Sequence, residues 1–154
     1  MSNLTSLMVA VEVATRKRDD ARKVFQDTQA AQRAASDQLG QLEGYARETE
    51  ARWGMKADTA MQPEVMYHHY QFMDRLGHAA LLQKGVVGDQ AQRVDAARRA
   101  LLETELRLAS LRKVAEKRRH DLEQLQMRKD QKQTDERAAL QYRNAMHGTP
   151  GQEY

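Results

Sequence analysis

From Leu4 to Trp53 the chain repeats a single step pattern: Leu4, Leu7, Val11, Ala14, Arg18, Ala21, Phe25, Thr28, Gln32, Ala35, Leu39, Leu42, Ala46, Thr49, Trp53. Steps of three and four alternate without a break, and 11 of these 15 positions are apolar. A seven-residue repeat held this long keeps one apolar seam turned toward a partner helix. A second series mirrors it: Met66, His69, Met73, Leu76, Ala80, Gln83, Val87, Gln90, Val94, Ala97, Leu101, Thr104, Leu108, Leu111, Ala115, Arg118, Leu122, Leu125. Here 13 of 18 positions are apolar. The short gap between the series folds the second helix back on the first. The expected fold is all-α: two long helices forming one antiparallel coiled-coil hairpin.

Helix one is expected over residues 3–52, with Ser2 or Asn3 as its cap. The turn falls at 53–62, where Gly54 and Asp58-Thr59 act as breakers. Pro63 suits the first turn of helix two, since its missing N–H has no helical partner there in any case. Helix two is expected over 63–144. Gly148, Pro150 and Gly151 end it, and 145–154 read as a disordered tail.

Antiparallel partners have residue numbers with a constant sum. A sum of 118 or 119 pairs Leu4 with Ala115, Leu7 with Leu111, Val11 with Leu108, Phe25 with Val94, Leu39 with Ala80 and Leu42 with Leu76. Large residues then face small ones. The same register sets polar Thr28 against Gln90 and Thr49 against His69. It also leaves helix two overhanging by roughly 25–30 residues, about 40 Å. Leu122, Leu125, Ala139 and Met146 lie on the overhang with no expected partner in the chain. Gly40, Gly44, Gly77, Gly85 and Gly88 each cost about 1 kcal/mol inside a helix and suggest bending in the half near the turn.

Composition agrees with a solvated helical pair and sets limits on chemistry. Aromatic residues are 5% and charged residues 31% of the 154, too few and too many for a compact core of ordinary depth. With no cysteine, disulfides, thiolate metal sites and thiol catalysis are excluded. No apolar run approaches a membrane span, and Met1–Thr15 lacks the basic start of a signal peptide, so a cytoplasmic protein is expected. The net charge of +3 is unevenly placed. Between Asp37 and Glu64 six acids face three bases, whereas 11 bases face six acids between Arg98 and Lys132. A hairpin folded near residue 59 would have an acidic tip and a basic open end, suited to an acidic protein surface or to nucleic acid.

Catalysis finds no foothold in this pattern. His68, His69 and His78 have no Glu or Cys at ligand spacing, so His69 reads as a polar seam residue and its neighbours as exposed. Gly85-Val86-Val87-Gly88 lies inside the helical stripe and lacks flanking bases. No phosphate loop or activated nucleophile is present, and neither an enzyme nor a bound cofactor is expected. The informative excess is apolar residues beside the seam near the turn. Gln38, Leu42 and Tyr45 on helix one stand level with Phe72, Leu76 and Ala79 on helix two. Tyr67, Tyr70, Leu81, Leu82 and Val86 widen this surface. Such residues either broaden the seam or form an exposed docking face.

Three stretches carry a family resemblance. They are Gln38-Leu39-x-x-Leu42-x-x-Tyr45-x-x-Glu48, then Tyr70-Gln71-Phe72-x-x-x-Leu76-x-x-Ala79, and finally Asp135-Glu136-Arg137-Ala138. In this order, inside a helical hairpin, they resemble the FliJ family of flagellar type III export proteins over nearly the whole chain. The resemblance implies a hairpin similar to the central stalk of rotary ATPases. It implies binding to the hexameric export ATPase FliI and the export-gate protein FlhA, and handling of export chaperones. It also implies that Gln38, Leu42, Tyr45, Phe72, Leu76 and Ala79 form the gate-contact face. Thr49 stands where the family often has an aromatic residue, and Gln83 where a histidine can occur. The basic overhang, with Leu122, Leu125, Arg128, Lys129 and Lys132, is the expected ATPase-ring contact. The expected protein is a monomer, peripheral to the inner membrane through its partners. Two alternatives stay open: the equivalent stalk of a virulence-type secretion system, and a basic coiled-coil nucleic-acid binder. The second lacks stacking aromatics at the basic end.

Overall fold

The computed structural model describes residues 2–56 and 62–148. Two helices account for nearly all of them: α1, Ser2–Lys56, and α2, Pro63–His147. They run antiparallel as a helical hairpin. At the start of α2 the Gln62 carbonyl accepts the backbone N–H of Val65 at 3.1 Å and of Met66 at 3.3 Å. Pro63 takes the first helical position, and Glu64 places its carboxylate near the positive end of the helix dipole. At the other end, a Cβ on Gly148 would lie 2.9 Å from the carbonyl oxygen of Asn144. Only glycine follows the last turn that closely without displacing it.

α1 continues four residues past its expected end, through Trp53 and Gly54. A Cβ at Gly54 would meet nothing within 4 Å, so this glycine removes no packing. Its cost of about 1 kcal/mol is too small to stop a helix whose last turn is held by tertiary contact. Trp53 supplies that contact by stacking on His69. The expected breakers Asp58 and Thr59 lie outside the described residues. α2 likewise runs past residue 144 to His147, and the remainder of the expected tail, 149–154, lies outside the described residues.

The chain packs as two units, each a helix pair. One unit joins 14–106, and its buried apolar residues are Ala14, Ala35, Leu76, Val94 and Ala97. The other joins 1–13 with 107–154, around Leu108 and Ala115. The seam follows the three-four stripe. Every position of the first series is buried or half-buried, and in the second only Met66, Arg118 and Leu125 are exposed. Alanine supplies four of the seven buried apolar residues, so those layers bury little. No polar side chain is buried among the described residues.

The polar seam positions behave differently from expectation. Thr28 donates its hydroxyl to the Phe25 carbonyl at 2.8 Å, Thr49 to Tyr45 at 2.8 Å and Thr104 to Leu101 at 2.7 Å. A threonine satisfied by its own helix needs no partner across the seam, so the expected pairing of Thr28 with Gln90 and Thr49 with His69 is not what holds these layers. Gln83 does cross, donating its amide to the Ala35 carbonyl at 2.9 Å. Arg98 caps the seam from the side, its guanidinium 5.7 Å from the Phe25 ring centre.

Within the smaller unit, every described residue from Glu123 to Gly148 is exposed. Leu125, Ala139 and Met146 are uncovered, as their place on the overhang implies. Leu122 is half-buried, against expectation, so the covered part of α2 reaches one layer further. Neither helix is long and apolar enough to cross a membrane.

Candidate functional site

The six candidate gate residues all lie in the larger unit, 14–106, but not all on its surface. Heptad position explains the split. Leu42 and Leu76 occupy seam positions. Leu76 is only 9% exposed and belongs to the core, and Leu42 is half-buried. Gln38, Tyr45, Phe72 and Ala79 take the flanking position on one side of the seam. Gln38 is exposed and Ala79 half-buried. Tyr45 and Phe72 meet across the helices edge to face, ring centres 5.9 Å apart and planes at 86°. That geometry places the positive ring edge on the negative face. The pair nevertheless stays open to solvent, at 51% and 40%. Leu76 and Leu42 therefore support the face from beneath, while Tyr45 and Phe72 present it.

The flanking positions continue this surface without charge. Ala31, Gln38 and Tyr45 on α1 stand across from Phe72, Ala79 and Val86 on α2, and Leu82 lies exposed just outside them. The other flank of the seam is ionic, with Lys84 and Glu43 at 3.9 Å. Exposed apolar groups gathered on one flank, opposite a charged one, are the kind of patch that marks an interaction surface. Nearer the turn, Tyr67 and Tyr70 are exposed, and Gln71 donates to the Tyr67 hydroxyl at 2.9 Å.

The candidate ring contacts lie in the smaller unit. Leu125, Arg128, Lys129 and Lys132 are exposed and Leu122 is half-buried. Gln126 donates to Asp130 at 3.1 Å, so this acid is engaged within the helix. Met127, Leu140 and Tyr142 are further exposed apolar groups, but they point around the helix rather than along one stripe. From Leu122 to Gly148 five bases stand with four acids, so the segment is solvated and nearly neutral, with its positive charge gathered at Arg128, Lys129 and Lys132.

Two seam contacts either side of the face do not follow from the apolar spacing alone. Trp53 and His69 stack with ring centres 3.8 Å apart and planes within 1° of parallel. Side chains lean toward the N-terminus of their own helix, so in an antiparallel pair Trp53 leans away from the turn and His69 toward it, and they meet. The constant-sum rule, applied to Cα positions, misses this because it ignores lean. The Gln83–Ala35 bond does obey the rule, and Gln83 could have been found as the one amide set opposite an alanine. Among the described residues no group of three or more His, Cys, Asp or Glu could hold a metal ion.

These features define an antiparallel coiled-coil hairpin that presents an uncharged aromatic face beside its seam. The family model for the flagellar FliJ protein matches residues 3–147, and the chain belongs to the FliJ family. Membership makes the chain a component of type III protein export. Among solved structures the fold is similar to a YscO homolog from Chlamydia trachomatis. The TM-score is 0.68 at 16% identity, covering 97% of this chain and 96% of the other. No match to a curated protein is found.

Proposed function

We propose that this protein is the stalk and chaperone-escort factor of a flagellar export ATPase. In this reading the exposed basic part of α2 engages the FliI ring through Leu122, Leu125, Arg128, Lys129 and Lys132. The face around Tyr45 and Phe72 engages the export-gate protein FlhA, with Gln38 and Ala79 at its edge and Leu42 and Leu76 beneath. The observation that carries the reading is the Tyr45–Phe72 pair: two aromatic rings already ordered against each other yet half open to solvent. Ordered, exposed aromatic groups lose little entropy on binding and commonly dominate an interface.

The test is the double variant Tyr45→Ala, Phe72→Ala. Aromatic anchors of this kind carry about 2 kcal/mol or more each, so gate binding should weaken by at least a hundredfold if both are anchors. Helicity and ATPase binding should persist, and motility should fall. Normal gate affinity with the fold intact removes the face as the docking site. Collapse of the fold makes the two rings part of the core instead.

The similarity in fold to a YscO homolog favours one second reading, the equivalent stalk of a virulence-type secretion system. Complementation separates the two. Restored motility in cells lacking their own flagellar stalk protein supports the flagellar reading, and restored effector secretion alone supports the other.

A further inference from the structure

Two cross-helix contacts bracket the Tyr45–Phe72 pair within the larger unit. On the side away from the turn, the Gln83 amide reaches the Ala35 carbonyl at 2.9 Å. On the side toward the turn, Trp53 and His69 stack at 3.8 Å. Their importance follows from what the stripe lacks. An unbroken heptad pattern selects a seam but not a register. Sliding one helix past the other by seven residues, about 10.5 Å, again puts apolar groups against apolar groups.

The threonines in the seam do not resist such a slide, because Thr28 and Thr49 bond to their own helix. The ion pairs Arg22–Glu105 at 4.0 Å and Lys84–Glu43 at 3.9 Å join long, exposed side chains that can follow it. Gln83 and the stacked rings do resist. After a slide of one heptad the Gln83 amide would face Thr28 or Leu42, whose larger side chains cover the backbone carbonyl that the small Ala35 leaves within reach, and an unmade bond there is costly. A near-parallel stack is lost outright at that displacement. A single polar residue in an apolar seam is a well-attested means of setting register. The docking face depends on that register, because Tyr45 and Phe72 come from different helices and would part by the same distance.

The geometry points to Gln83, Trp53 and His69 as positioning residues: two register locks that hold the halves of the docking face level. The role assigned to that face is the one proposed above, and the register role stands apart from it. Leucine at these positions keeps apolar bulk but removes the specificity, so the variant Gln83→Leu, Trp53→Leu should remain a helical hairpin.

The chain has no cysteine, so spin labels can be placed cleanly on cysteines introduced at exposed Arg47 and Gln92, which stand about 30 Å apart along the hairpin axis, so that a slide changes their separation almost in full. The parent should give one narrow distance distribution. The double variant should give a broadened or split one, with a component displaced by about 10 Å, while its circular dichroism stays helical. Affinity for the export-gate protein should fall tenfold or more. His69→Phe keeps a flat ring and should match the parent in both readouts. An unchanged single distribution in the double variant overturns the register role. A broadened distribution with unchanged gate affinity leaves the register role standing and overturns the docking reading of the face.

Discussion

At Gln83 the difference between a good seam residue and an informative one is plain. A leucine there would bury more apolar surface, yet it would fit equally well one heptad away. The amide fits best opposite Ala35, whose small side chain leaves its backbone carbonyl within reach, and not opposite Thr28 or Leu42 one heptad either way. Away from Gln83 and the Trp53–His69 stack, the buried aliphatic layers rely on fit alone. Leu108 is 2% exposed, the least exposed of the buried apolar residues. Leu108→Ala should therefore cost about 2–5 kcal/mol, the usual range for leucine in a packed site. Leu102, on the same helix but 55% exposed, should cost well under 1 kcal/mol when changed to alanine. Urea melts of the two variants check this, and equal losses would show the seam to be misplaced.

At the scale of the helix, the unexplained residues are glycines. Gly40 and Gly44 in α1 and Gly77, Gly85 and Gly88 in α2 would each accept a Cβ with no atom within 4 Å. No close approach requires them, and each lowers helix stability relative to alanine. Changing any one to alanine should stabilise the protein by about 0.5–1 kcal/mol, read as a raised melting temperature. Gly148→Ala should do the opposite, since its Cβ meets the Asn144 carbonyl. The seam itself was legible in the residues because the period of apolar positions is a property of the helix alone. Helix ends were less legible. Gly54 is a breaker by its own propensity, but the end of α1 is held by Trp53 against His69 on the other helix. The face was partly legible for the same reason: Tyr45 and Phe72 reveal themselves by flanking position, whereas the Trp53–His69 stack depends on side-chain lean. Thr28 and Thr49 misled because a hydroxyl can satisfy itself on its own helix, a choice the spacing does not record.

At the scale of the whole chain, covered and uncovered helix differ in what keeps them folded. Beyond Leu122, α2 has no seam partner among the described residues and relies on local propensity, which is marginal for an isolated helix in water. Amides from Glu123 to His147 should therefore exchange quickly in the free protein and slowly when the export ATPase is bound; slow exchange without a partner would point to a contact within the chain. The antiparallel layout also has a kinetic side. Loop-closure entropy rises with the logarithm of the segment enclosed. The Trp53–His69 stack closes a short loop, the Gln83–Ala35 bond spans 48 residues, and the Arg22–Glu105 pair spans more still. Each contact made shortens the loop that the next must close. A refolding chain thus zips outward from the turn, beginning in the half richest in glycine, and the only tryptophan in the sequence stands where the zipper starts.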